Sequence, residues 1–170
     1  MIVVADSSPL VALVNIHQAE ILPQLFGSVL IPSEVLAELS NSRHPEIVRA
    51  FAAHPPAWLD IRVPKMVEEI PGLHLGEQAA LSLAAEVKAD LLLMDEKEGR
   101  KIAAERHLLV SGVIGVLERA AEQGFLNLRE SFGRLKGTDF WVSPALLDAR
   151  LEAFEQKQSR ERAGKPGIER

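Results

Sequence analysis

The chain has 170 residues, 47 % hydrophobic and 25 % charged, with a net charge of −5 and a pI near 5.6. It holds no cysteine, which excludes a disulfide framework, thiolate nucleophiles and zinc-finger chemistry. The acidic balance excludes a surface that is basic throughout and grips nucleic acid indiscriminately. No apolar run approaches the ~20 residues of a membrane helix, and no basic segment precedes Ile2–Val4 as a signal peptide requires. The expectation is a cytoplasmic protein with one core, burying roughly 70 % of its unfolded surface.

Taken in order, Ile2–Ala5 is an apolar run that ends in a carboxylate, Asp6. Ser8 is placed to cap the helix that follows, with Pro9 at its first position and the helix running to Ile16. A short helix over Ala19–Leu25 stops at Gly27, and Ser28–Ile31 reads as a second strand closed by Pro32. Ser33 opens a helix whose inward face is Val35, Leu36 and Leu39, with Glu34 and Glu38 sharing another face at i and i+4. Pro45–Ala53 is a further helix, and Trp58–Val63 alternates apolar and polar as an outer or connecting strand does.

The central stretch is Leu73–Ala103. Gly76-Glu77 opens a helix with Ala79, Ala80, Leu83, Ala84 and Val87 at helical spacing. Leu91–Met94 then has the unbroken apolar character of a strand buried on both faces of a parallel sheet. It also ends in an acid, Asp95, with Glu96 and Glu98 beyond and a helix carrying Arg100 and Lys101. Leu108–Val110 is another buried strand, Ser111-Gly112 starts a helix that ends at Gly124, and Pro144–Phe154 is the last helix. Phe140–Val142 reads as an edge element or an aromatic plug. From Gln156 the chain lacks hydrophobic periodicity, so residues 1–155 read as one domain and 156–170 as a basic, flexible tail.

Alternating strands and helices predict a mostly parallel sheet covered on both faces. Ligands of such sheets bind beyond the carboxyl ends of the strands, where strand order reverses. Asp6 and Asp95 fall at two such ends. Glu77 heads a helix, where the dipole favours an anion, and Glu38 follows the second strand. Singly, each acid has an ordinary structural reading as a cap or a solvated surface group. Converged, the four would repel one another, and a divalent cation relieves that repulsion. Oxygen ligands without cysteine point to Mg²⁺ or Mn²⁺, ions that activate water and steady a phosphodiester leaving group.

The segments IVVADSSPLVAL, IPSEVLAEL, LGEQAALSLA, LLLMDEKEGRKIA and LLVSGVIGVL, together spanning about Ile2 to Gly124, resemble the PIN domain, especially its small toxin-like prokaryotic branch. The resemblance implies a Rossmann-like three-layer α/β/α sandwich, PIN-like, and metal-dependent RNA cleavage with acids holding Mg²⁺ or Mn²⁺. It makes Asp6, Glu38, Glu77 and Asp95 the catalytic, metal-holding set, with Glu98 an outer metal ligand. Ser8, Arg100 and Lys101 become substrate-binding residues. Two positions depart from the toxin-type pattern: Glu77 stands where many members have Asp, and Leu93-Met94-Asp95 replaces T-x-D. The implied protein is the ribonuclease toxin of a toxin–antitoxin pair, with RNA and an antitoxin as partners. A homodimer is expected through Phe140, Trp141, Leu146, Leu147, Leu151 and Phe154. A silent RNA- or protein-binding module is the competing reading. A serine hydrolase lacks its G-x-S-x-G, a nucleotide cofactor its G-x-G-x-x-G or P-loop, and a phosphatase its D-x-D-x-T.

Overall fold

A computed structural model describes residues 1–165. Five short strands, β1 (Val3–Ala5), β2 (Val29–Pro32), β3 (Leu59–Arg62), β4 (Leu91–Leu93) and β5 (Val110–Ser111), form one sheet in the order β3-β2-β1-β4-β5. Every pairing is parallel. Trp58–Val63, read as an outer or connecting strand, therefore supplies the edge strand β3.

The unbroken apolar runs have a simple cause. Successive side chains of a strand point to opposite faces, and here both faces are covered. Val3, Ala5, Leu91 and Leu93 join one core cluster, while Val4, Leu92 and Met94 join the other. On the first face pack α1 (Ser7–Asn15), α2 (Ile21–Phe26), α3 (Ser33–Leu39) and α4 (Glu46–Ala53), with α7 (Val113–Glu122), α8 (Leu128–Lys136) and α9 (Pro144–Ala163). On the second lie α5 (Leu75–Glu86) and α6 (Lys97–Glu105). The result is a three-layer α/β/α sandwich around a parallel sheet.

Several local features differ from the sequence reading. Leu108–Val110 read as a buried strand, but β5 is Val110–Ser111, half-buried at the sheet edge, and Leu109 is exposed. Helix α1 begins at Ser7, so Asp6 rather than Ser8 occupies the cap position, and no side-chain cap bond forms there. Helix α8 was not expected from the sequence. Asn127 caps it by accepting from the Glu130 N–H at 3.0 Å, and Phe132 and Leu135 bury beneath it. Its amphipathic face covers only two turns, too little for periodicity to single out. Phe132→Ala is expected to cost about 3–5 kcal/mol; a urea-unfolding loss below ~1 kcal/mol would show that α8 is not part of the cooperative core.

Helix α9 continues through Gln156 to Ala163, where periodicity had suggested a flexible tail. Its last turns are built from Glu, Gln, Lys, Arg and Ala, which favour helix without needing an apolar stripe. Arg150 binds Glu118 and Lys157 binds Glu122, both on α7, while Arg129 of α8 binds Glu155. The end of the expected tail, from residue 166, lies outside the described residues. Phe140–Val142 forms no strand, and the plug alternative fits Phe140. Phe140 and Val142 pack on the core, and Trp141 between them is 90 % exposed. Leu147 is fully buried, with Leu151 and Phe154 packed beside it, so this chain itself covers most of the apolar stripe expected to face a second copy.

Helix α7 closes as its glycine implied. Gly124 has φ +78°, its N–H donates to Ala121 O at 3.0 Å, and the Phe125 N–H reaches Ala120 O at 2.9 Å. That pair of bonds is a Schellman end, in which a left-handed residue lets the last carbonyls find partners.

Candidate active site

The two strands that end in aspartate are neighbours. β1 pairs with β4 on one side and β2 on the other, which makes their shared carboxyl end the point where strand order reverses. The Asp6 N–H still donates to Leu93 O at 2.9 Å, extending the β1–β4 ladder to the acid itself. Asp6 is 1 % exposed, and its Oδ1 has no hydrogen-bond partner. Burial pushes its pKa from 3.8 to about 7, with the Ser7 amide pulling the other way and the charges of Glu38, Glu77 and Asp95 adding to the rise. All three other acids thus bear on Asp6.

Asp95 spans the gap from β4 to α7. Its Oδ1 accepts the N–H of Val113, the first residue of that helix, at 3.0 Å. Its Oδ2 is buried without a partner. Burial raises its pKa to about 6, against the Val113 amide and the nearby Arg100. The dipole of α7 meets the carboxylate at the end where an anion is favoured. Gly112 is small for this reason, since a Cβ there would collide with Asp95 Oδ1.

Glu38 is drawn in by two donors, the Ser7 hydroxyl at 2.8 Å and the Gly76 N–H at 2.9 Å. Glu77, 8 % exposed, accepts from the His74 N–H at 3.0 Å across the first turn of α5. Burial raises its pKa, and Glu96 and Glu38 push in the same direction while His74 opposes them. Among the described residues no group of three Asp, Glu or His side chains is disposed to hold an ion as they stand. The reason is visible in these bonds: Glu38 and Glu77 are turned onto backbone and hydroxyl donors. The two aspartates nonetheless have the character a hard cation needs, each with a carboxylate oxygen buried and unpartnered.

Beside Asp95 opens a cleft of about 960 Å³. Of the four acids only Asp95 lines it, together with Ser7, Ser8, Lys97 and Arg100. Glu98 stands exposed in the first turn of α6, whereas Glu96, just ahead of that helix, is the acid whose charge reaches Glu77. Lys101 is exposed and outside the cleft wall; Arg43 and His44 line the cleft from the turn between α3 and α4. Ser7, Glu96 and Lys97 were not singled out from the sequence. Ser7 adjoins a strand-ending acid, the one cue that could have marked it; the other two look like any charged helix start.

Residues 2–156 match the model of the DUF3368 family, described as a PIN domain. This chain belongs to the PIN-domain family. No curated protein and no solved structure matches it. Membership brings a nuclease-type fold, and the sandwich described above agrees with it. No helix among the described residues of this PIN domain is long and apolar enough to cross a membrane.

In this PIN domain Gly76 joins α5 to the acid on α3. A Cβ at Gly76 would run into the Glu38 carboxylate. Gly76→Ala should therefore push the Glu38 carboxylate off the Gly76 amide and the Ser7 hydroxyl, costing about 1–3 kcal/mol in lost hydrogen bonds, although alanine is the better helix former by roughly 1 kcal/mol. In a Glu38→Ala background the sign should reverse. Equal costs in both backgrounds, measured by urea unfolding, would show that the carboxylate is not what excludes a side chain.

Proposed function

We propose that this PIN domain is a metal-dependent endoribonuclease that hydrolyses RNA phosphodiester bonds, and that it serves as the toxin of a toxin–antitoxin pair. The observation that carries the reading is the pair of strand-ending aspartates at the sheet's switch point, each with an unpartnered buried oxygen. Asp6 and Asp95 would hold Mg²⁺ or Mn²⁺, with Glu38 and Glu77 completing the set and Glu98 or Glu96 further out. When bound, such an ion lowers the pKa of water and stabilises charge on a phosphodiester. The chain's own residues do the rest. Ser7 and the Gly76 amide orient Glu38 and the Val113 amide orients Asp95, while Ser8 and Arg100 in the cleft, and Lys101 just outside its wall, would meet the substrate phosphates.

The second reading, a silent binding module, is favoured by the inward hydrogen bonds of Glu38 and Glu77, which leave no three-acid cluster assembled. Incubating the protein with a mixed RNA pool, with and without Mn²⁺ or Mg²⁺, separates the two. Cleavage that requires metal supports the nuclease. If the RNA stays intact, calorimetry decides: Mn²⁺ uptake means an intact site, and no uptake puts the binding module in front. An antitoxin would act by covering the cleft beside Asp95. A homodimer resting on exposed Trp141 and Leu146 would compete with RNA for that face, and a light-scattering dilution series showing only monomer removes it.

A further inference from the structure

Trp141 is the most exposed of the large hydrophobic residues in the described chain, at 90 %. A lone exposed hydrophobic residue needs no explanation by itself; what sets this one apart is the anchored segment that carries it and the cleft it lines. The segment between α8 and α9 is pinned on both sides of it. The Thr138 hydroxyl donates to Leu135 O at 2.7 Å and accepts from the Phe140 N–H at 3.3 Å. The Val142 N–H donates to Phe140 O at 3.0 Å, and Ser143 caps α9 by accepting from the Leu146 N–H at 3.4 Å. Phe140 and Val142 are anchored on the core. The backbone is thus held while the indole between the anchors stands free.

It stands in the wall of the same cleft that Asp95 lines. Arg43, Lys97 and Arg100 line that cleft too; among the described residues none of them forms a salt bridge, although Arg100 donates to Met94 O at 3.4 Å and its charge acts on Asp95. Glu96 and Asp139 are the acids beside them, apart from Asp95. An aromatic face next to cations is the combination that holds a single strand of nucleic acid, bases on the ring and phosphates on the cations. The cleft is at the upper end of the roughly 300–1,000 Å³ range of small-molecule pockets, so it has room for more than a lone base.

We infer that Trp141 is a substrate-positioning residue: its indole stacks an unpaired base of the RNA while Arg43, Lys97 and Arg100 hold the adjoining phosphates, presenting the backbone to Asp95. This rests on the ribonuclease reading and adds to it a reason for preferring unpaired RNA. In a duplex both faces of each base are already stacked, and the indole has nothing to receive.

The test is binding of a fluorescein-labelled single-stranded RNA and of its duplex to the full chain in EDTA, for wild type, Trp141→Ala and Trp141→Phe. Trp141→Ala should weaken single-strand binding roughly five- to a hundredfold, Trp141→Phe should keep most of the affinity, and the duplex should bind both variants as wild type does. Unlabelled RNA should quench part of the wild-type tryptophan emission. In Trp141→Phe the remaining emission, from Trp58 alone, should not respond. Equal affinities for wild type and Trp141→Ala overturn the inference. So does an equal loss for strand and duplex, which would mark a general structural effect. No RNA binding by wild type also overturns it and leaves the rim to a protein partner. Adding Mn²⁺ to the same samples separates the two proposals. Cleavage with no dependence of binding on Trp141 sinks the stacking role alone, and Trp141-dependent binding with neither cleavage nor calorimetric Mn²⁺ uptake sinks the nuclease alone.

Discussion

Asp6→Asn and Asp95→Asn are each expected to reduce metal-dependent RNA cleavage by roughly a hundredfold or more, a loss at least as large as that from removing an outer partner of a metal ligand. Asparagine keeps the shape of the side chain and removes its charge. No cavity opens, and in Asp95→Asn the remaining carbonyl can still accept the Val113 N–H that joins β4 to α7. The loss should therefore appear in activity and in calorimetric Mn²⁺ uptake together, with the fold intact by circular dichroism. Full cleavage by either variant would remove that aspartate from the proposed set. Loss of cleavage with unchanged Mn²⁺ uptake would assign it to substrate rather than metal.

The second large effect is on stability, and its sign is opposite to that of an ordinary salt-bridged acid. Burial raises Asp6 from 3.8 to about 7, and it raises Asp95 to about 6 and Glu77 in the same direction. A carboxyl raised by folding binds its proton more tightly in the folded than in the unfolded chain. Across the window from about 4 to 7 the folded state then holds more protons, and stability falls as pH rises. For Asp6 alone, the rise from 3.8 to about 7 corresponds to a ceiling of ~4 kcal/mol.

In EDTA, wild type should thus unfold at lower urea concentration at pH 8 than at pH 5. Asp6→Asn should be more stable than wild type at pH 8 and show a flatter profile. Mn²⁺ should recover stability in wild type by mass action, and much less in Asp6→Asn. Parallel pH profiles for the two proteins would mean that Asp6 reaches water more freely than its burial implies. Asp6→Asn is thus expected to trade activity for stability.

Much of the architecture was open to a reading of one dimension. Strands β1, β2 and β4 announced themselves as apolar runs closed by an acid or Pro, because strands covered on both faces leave no polar position, whereas the edge strand β3 showed as alternation. The end of α7 was legible at Gly124, since a left-handed closing residue is a local requirement. Helix α8 and the far half of α9 were less so. The first hides its buried face in two turns, and the second is helical through propensity and ion pairs to α7 and α8 rather than through a stripe.

The order and spacing of Asp6, Glu38, Glu77 and Asp95 along the chain carried the family resemblance, and the family match over residues 2–156 agrees with it. How each of these acids is held was a tertiary matter. Glu38 depends on a hydroxyl 31 residues away and on an amide 38 residues away, and Asp95 on an amide 18 residues downstream. No local pattern encodes such partners. Nor does sequence distinguish Trp141 in water from Phe140 and Val142 on the core, since all three are apolar neighbours. By itself the sequence determined which residue types occur, in what order and with what period, and so the layered α/β sandwich and its strand-ending acids. Only the tertiary structure decided which donors turn Glu38 and Glu77 inward, which aspartate oxygens remain unpartnered, and which ring faces the cleft. Those outcomes depend on burial and on contacts between residues far apart in the chain.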